Sequence, residues 1–229
     1  MINTYNETDL HHTLKDLYTS DHAQQEVPIG SFVCDICTED KKIIEIQTAA
    51  LAQLKKKLVK LLPIYEIEIV YPIIENAYIL MLNADGTKRS YRKSPQHGTF
   101  FQLYKELYSI ADILDQPNLF FTILYIDCDI VKIDDKQGRS RYHRPRILNK
   151  RLLKIHKQES LHGVDAFTDR IMEYLPDTFT SVDLRKLGTK GYTSYIISFL
   201  KKTEKIIFYL KKGRYHVYKK AIGKKNTDY

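Results

Sequence analysis

Asp35, Glu45 and Gln47 place three hard oxygen donors on one short stretch of chain. Magnesium and manganese favour carboxylate and carbonyl oxygens, and they keep waters that can act as nucleophile. An ion held by such a set can neutralise a scissile phosphate and activate water for in-line displacement. The plainer reading of the same residues is a solvated strand face.

Convergence of these side chains depends on the elements that carry them. Ser31-Phe-Val-Cys-Asp-Ile-Cys-Thr38 and Lys42-Ile-Ile-Glu-Ile-Gln-Thr48 both alternate, and Glu39-Asp40-Lys41 joins them, which predicts a hairpin. A three-residue loop sets Cys34 opposite Ile46, Ile36 opposite Ile44, and Asp35 opposite Glu45. One face is then apolar and the other presents Asp35, Glu45 and Gln47, because cross-strand partners share a side. A slip by one residue would set Asp35 against Ile44, so the apolar pattern itself argues for this register.

Helical spacing of Leu10, Leu14 and Leu17 predicts a helix over residues 7–18, with Glu7 and His11 one turn apart on a common face. Residues 19–30 read as a loop with room for a short edge strand. Thr48 is a candidate cap for a helix whose stripe is Leu51, Leu54, Leu58, Leu61 and Leu62, with Lys55, Lys56, Lys57 and Lys60 over the rest of its surface. A strand over 65–72 ends at Pro72. Helix, hairpin, helix and strand in that order predict an α/β layer structure.

Farther along come a turn at Asp85-Gly86, a basic stretch over 88–93, a helix near 101–114 and an apolar strand over 119–131. Residues 136–157, with Arg139, Arg141, Arg144, Arg146, Arg151 and Lys154, read as a basic connector. Three short helices follow, near 165–175, 181–187 (opened by Thr180-Ser181) and 192–203. A hairpin whose tip is Lys211-Lys-Gly-Arg214 closes the chain, in a winged helix-turn-helix pattern. Tyr195, Ile196, Phe199 and Leu200 would form the apolar side of the third helix. That leaves Thr193, Ser194, Ser198, Lys201 and Lys202 for a groove, and Lys211, Lys212 and Arg214 for phosphate. The resulting division is a front domain over residues 1–157 and a small winged-helix domain over 158–229.

Asp35, then Glu45-Ile-Gln47 after a short turn, then a Lys-rich helix and a strand over 65–71, resembles the core of the PD-(D/E)XK, restriction-endonuclease-like nucleases. The likeness covers about residues 7–75, and its motif is short. It implies a mixed sheet flanked by helices, with Asp35 and Glu45 binding Mg2+ or Mn2+ and Glu7 completing the site. Gln47 stands where that family usually has lysine, and glutamine cannot supply a positive charge. The resemblance therefore turns attention to Lys57 or Lys55 as a displaced lysine. Many relatives in that family act as dimers, so a homodimer is a further expectation.

Charge points the same way. Residues 1–135 carry 13 Lys+Arg against 20 Asp+Glu, whereas residues 136–229 carry 23 against 8. So uneven a distribution favours a polyanionic partner, duplex DNA first, since neutralising phosphates releases counterions. A membrane-facing patch fits less well, because no basic helix has a wide apolar face. No apolar run approaches the roughly 20 residues that span a bilayer, no signal peptide is evident, and three cysteines suit a reducing compartment, so the expected location is the cytoplasm.

Other candidates carry less. Cys34-Asp-Ile-Cys37 has zinc-like spacing, but a strand sends residues i and i+3 to opposite faces and no second pair follows. His11 or His12 could join the acidic site, and Asp127 with Asp129 could form another acidic pair. A phosphate-binding Gly-rich loop is absent from the sequence. Two functions from different classes follow: a metal-dependent DNA endonuclease, or a non-catalytic DNA-binding protein that keeps the nuclease fold as a scaffold.

Overall fold

A computed structural model describes residues 8–137 and 145–221. The protein is α/β and divides into two compact units that share the chain in alternation. The first comprises Met1–Thr48, Leu62–Thr99 and Phe120–Ser160, and the second Ala49–Leu61, Phe100–Leu119 and Leu161–Tyr229.

The first unit holds helix α1 (Asp9–Tyr18) and a seven-stranded mixed sheet. Its strands are β1 (Ala23–Ile29), β2 (Phe32–Thr38), β3 (Lys42–Ile46), β4 (Glu66–Asn83), β5 (Lys88–Lys93), β6 (Leu119–Asp134) and β7 (Arg146–His162). They lie in the order β1-β2-β3-β4-β6-β7, with β5 paired to β4. β3 and β4 are parallel, whereas β1–β2, β2–β3 and β4–β5 are antiparallel. Thr8 caps α1 by accepting the His11 N–H on its side chain. Leu10 and Leu14 pack into a core with Ile36, Ile44, Ile46, Val70, Leu124 and Ile126. Leu17, expected in the same stripe, is 59% exposed, and Tyr18 packs against that core instead.

Two elements differ from expectation for identifiable reasons. Pro72 does not end β4, because it sits past the last β3 partner, Val70, and before the first β5 partner, Tyr78. On that edge no ladder asks for the N–H that proline lacks. The expected basic connector is in large part strand β7, at the edge of the sheet, and three of its cations are paired with acids. Arg146 pairs with Asp135 at 2.6 Å, Arg151 with Asp9 at 3.3 Å, and Lys157 with Glu159 at 3.2 Å. Arg139, Arg141 and Arg144 lie outside the described residues.

The second unit gathers α2 (Leu51–Leu61), a 3-10 turn at Phe100–Leu103, α3 (Tyr104–Ile110), α4 (Gly163–Met172), β8 (Thr178–Thr180), α5 (Ser181–Lys186), α6 (Thr193–Lys202), β9 (Ile206–Lys212) and β10 (Tyr215–Lys220). The three strands form a sheet in the order β8-β10-β9. α2 opens at Leu51, beyond Thr48, and the Leu51 N–H donates to the Glu106 carboxylate at 3.0 Å. An acidic side chain thus meets the helix N-terminus where a threonine cap was expected. Tyr104 is fully buried, donates to the Phe167 carbonyl at 2.6 Å and meets the Phe199 ring edge-on at 5.5 Å. Among the described residues no helix is long and apolar enough to cross a membrane.

Candidate functional site

The β2–β3 ladder runs in the expected register, through Cys37–Ile43 and Ile36–Ile44. One residue farther from the turn, the Asp35 carboxylate takes part itself: Oδ2 accepts the backbone N–H of Ile46 at 2.8 Å. The other end of residue 46 is held from α1, where His11 Nε2 donates to the Ile46 carbonyl at 2.8 Å. A carbonyl only accepts, so in this contact Nε2 carries the proton. The same nitrogen lies 3.5 Å from Asp35 Oδ2. Immediately afterwards the Gln47 N–H donates to the Val70 carbonyl of β4 at 2.9 Å. Contacts from α1, β2 and β4 therefore grip the backbone on which Glu45 and Gln47 stand, and so fix the directions in which those side chains leave it.

The carboxylate face is not the solvated hairpin surface of the plainer reading. Glu45 is 2% exposed and Ile43, two residues before it, is fully buried. Asp35 and His11 are 20% and 23% exposed at their side chains, so the site grades from buried to half-open. A buried carboxylate is costly unless it is partnered, which is the usual reason for keeping one where chemistry needs it.

Sequence reasoning did not single out Lys15 or Glu26. Lys15 sits one helical turn beyond His11, is 2% exposed, and is paired to Glu26 of β1. Glu26 in turn lies between Gln25, which pairs with Ile36, and Val27, which pairs with Cys34, and so stands across from Asp35 in the register. The available signal was the i, i+4 spacing of His11 and Lys15 on α1.

The remaining expectations fall in different places. Glu7 lies outside the described residues. Lys55 and Lys57 are on α2, which belongs to the second unit, and Lys55 is paired there with Asp112 at 2.6 Å. His12 is largely exposed and pairs with Asp16 at 2.9 Å, whereas His11 joins the acidic site. Asp127 accepts from Asn76 at 2.7 Å and from His156 at 2.8 Å, while Asp129 accepts the Tyr91 hydroxyl at 2.8 Å. Burial alone would raise the Asp127 carboxyl, but the bonds from Asn76 and His156 outweigh it and hold that carboxyl below its ordinary range. Cys34 and Cys37 stand as thiols rather than a disulfide, one buried and one half-buried.

Among the residues expected to meet nucleic acid, Thr193 is corrected. It is buried, and its hydroxyl bonds to the Thr189 carbonyl at 3.1 Å, because the N-terminal turn of α6 folds back on the loop before it. Tyr195, expected on the apolar side, is 40% exposed. Ser194, Ser198 and Lys201 are all exposed to solvent. Lys202 donates to the Tyr108 carbonyl at 2.8 Å and lies over that residue's ring. Lys211, Lys212 and Arg214 are exposed at the tip of the β9–β10 hairpin.

As a cation site, the donor set fits magnesium or manganese in kind. Among the described residues no group of three His, Cys, Asp or Glu side chains is arranged to hold an ion. Magnesium, however, is commonly held by one or two carboxylates, with substrate phosphate and water completing its shell. Asp35 and Glu45, on neighbouring strands, would be those two.

Comparison with known proteins gives a family and one relative. Residues 8–162 match a family described as a domain of unknown function, DUF8091. A protein of Treponema pallidum (strain Nichols), described as uncharacterized, is 39% identical over 219 residues, 96% of this chain and 87% of the relative. No solved structure matches.

Proposed function

The chain belongs to the DUF8091 family, and on its own residues we propose that it is a divalent-metal-dependent DNA endonuclease whose DNA is held by a basic C-terminal winged helix. The observation that carries this reading is the pair of acids on β2 and β3, one of them buried, on a backbone held from three sides. In this reading Asp35 and Glu45 hold Mg2+ or Mn2+, which when bound would neutralise the scissile phosphate and activate water. Gln47 orients the water or the phosphate through its amide, and His11 keeps residue 46 and Asp35 in place. The element order α4-β8-α5-α6-β9-β10, with β8 and β9 on either side of β10, supports the winged-helix reading.

Gln47 in the lysine position favours a second reading, in which the fold binds DNA without cutting it. Nicking of supercoiled plasmid with magnesium or manganese separates the two. The endonuclease reading expects metal-dependent nicking that falls by at least about 100-fold in Asp35→Asn and Glu45→Gln, with DNA affinity retained. Tight, salt-sensitive binding with no cleavage of plasmid, branched or single-stranded DNA would leave the scaffold reading.

A further inference from the structure

The β9–β10 hairpin carries more apolar surface than its place in the fold requires. Ile207, Phe208, Tyr209 and Leu210 follow one another on β9 and are 53%, 52%, 54% and 41% exposed. Phe208 stands across from the buried Tyr218, and Ile207 and Leu210 across from Lys219 and Val217, so the exposed set covers both sides of the strand. β9 is also an edge of its sheet. The register shifts between Leu210–Val217 and Phe208–Tyr218, which leaves Tyr209 as the extra residue of a β-bulge. Bulges re-aim side chains and recur beside functional sites. Contiguous exposed apolar surface of this kind marks a place where something binds.

The surrounding charge selects the partner. From Lys205 to Lys220 the chain has six Lys and Arg and no Asp or Glu. Lys219 Nζ lies 5.8 Å from the centre of the Tyr209 ring, and the Arg214 guanidinium 5.1 Å from that of Tyr215. Flat rings flanked by cations match a ligand that offers planar faces and negative charge together. Unpaired nucleobases on a phosphate backbone are that ligand. In an intact duplex the faces of the bases are already covered by one another, and exposed rings would gain little from it.

We propose that Phe208 and Tyr209 stack on unpaired bases, and that DNA with single-stranded character, such as bubbles, forks, flaps and ends, is the substrate class of this protein. The inference rests on the DNA-binding reading above and narrows it. The test is the affinity of the full chain for a single strand, a duplex with a central bubble and a fully paired duplex, all at one salt concentration. Phe208→Ala and Tyr209→Ala are measured alongside; both positions are exposed, so both variants should fold, and circular dichroism checks this.

Wild type should prefer the bubble and the single strand. Each variant should weaken those two by about tenfold and leave the paired duplex within about twofold. Equal losses on all three substrates, or none, would overturn the proposal while leaving DNA binding intact. It would also fall if Tyr209→Ala instead abolished binding to phosphatidylserine vesicles, or self-association in sedimentation. A wild-type chain that binds no DNA of any form would remove both this inference and the reading beneath it.

Discussion

Lys15 is a cation with almost no exposed surface, paired with Glu26 of β1. Its partner Glu26 adopts φ 55°, a left-handed conformation that costs a non-glycine residue about 1 kcal/mol. Removing one member of a buried pair strands the other, and costs about 3–5 kcal/mol when both are fully buried. Glu26 is 39% exposed, so Lys15→Met should destabilise the protein by less, about 2 kcal/mol. Urea denaturation should show a lowered midpoint with an unchanged slope, and Lys15→Arg should recover much of the loss. At this scale the sequence was informative where chemistry and pattern coincide: Asp35 and Glu45 interrupt an isoleucine alternation and stand out. A buried lysine on a helix looks like any solvent-facing lysine, and the i, i+4 spacing of His11 and Lys15 places the two on one face without saying that the face is buried.

Elements were legible where local signals agreed with tertiary ones. Thr180-Ser181 announced a helix start, and α5 begins there with a capping box: the Thr180 N–H donates to Asp183 Oδ2 at 2.9 Å, and the Val182 N–H donates to the Thr180 hydroxyl at 3.2 Å. The Thr180 backbone bond, followed by its hydroxyl, holds the Asp183 carboxyl below the usual carboxylate range. A lowered folded-state pKa contributes stability that is present above the unfolded value of about 3.9 and disappears as pH falls through the folded one. Asp183→Asn should therefore cost about 1 kcal/mol at pH 7. The difference from wild type should shrink as the solution is acidified below about pH 4, as thermal melts across pH would show. β7 was illegible for the opposite reason. Its charges, at 146, 150, 151, 154, 157 and 159, follow no regular spacing, and Ile147, Leu148, Leu153 and Ile155 are exposed at 37–50%, so this largely solvent-facing edge strand carries no period-two signature.

At the scale of the molecule, the two units redistribute the charge. Counted by unit, the first carries 17 Lys+Arg against 18 Asp+Glu, and the second 19 against 10. The acidic front read from the linear sequence is close to neutral once β7 joins it, whereas the basic excess of the second unit persists. Membership of α2 in the second unit could not be read from its neighbours, because the helix follows β3 directly in the chain. A chain ending at residue 160 would lose α4, α5 and α6, and with them the partners of Tyr104 on α3. We expect that truncation to melt well below the full chain, or to aggregate. A cooperative melt at the full-length temperature would contradict the division into units. The DNA-binding role of the hairpin tip is better assessed by replacing Lys211, Lys212 and Arg214 with glutamine. For every phosphate that a replaced cation had neutralised, the slope of log affinity against log salt should flatten by about 0.9.

The same alternation bears on how the protein is made. The polypeptide passes from one unit to the other five times, after residues 48, 61, 99, 119 and 160. On a ribosome, the first sheet cannot acquire β7 until residue 160 has left the exit tunnel. By then α2, with Leu51, Leu54 and Leu58 built for a core, and α3 have long since emerged without α6. The first unit must wait for residue 160 and the second for β10, so a nascent chain carries sticky, half-assembled surface through most of its synthesis. Such a chain should lean heavily on chaperones that shield it until translation ends.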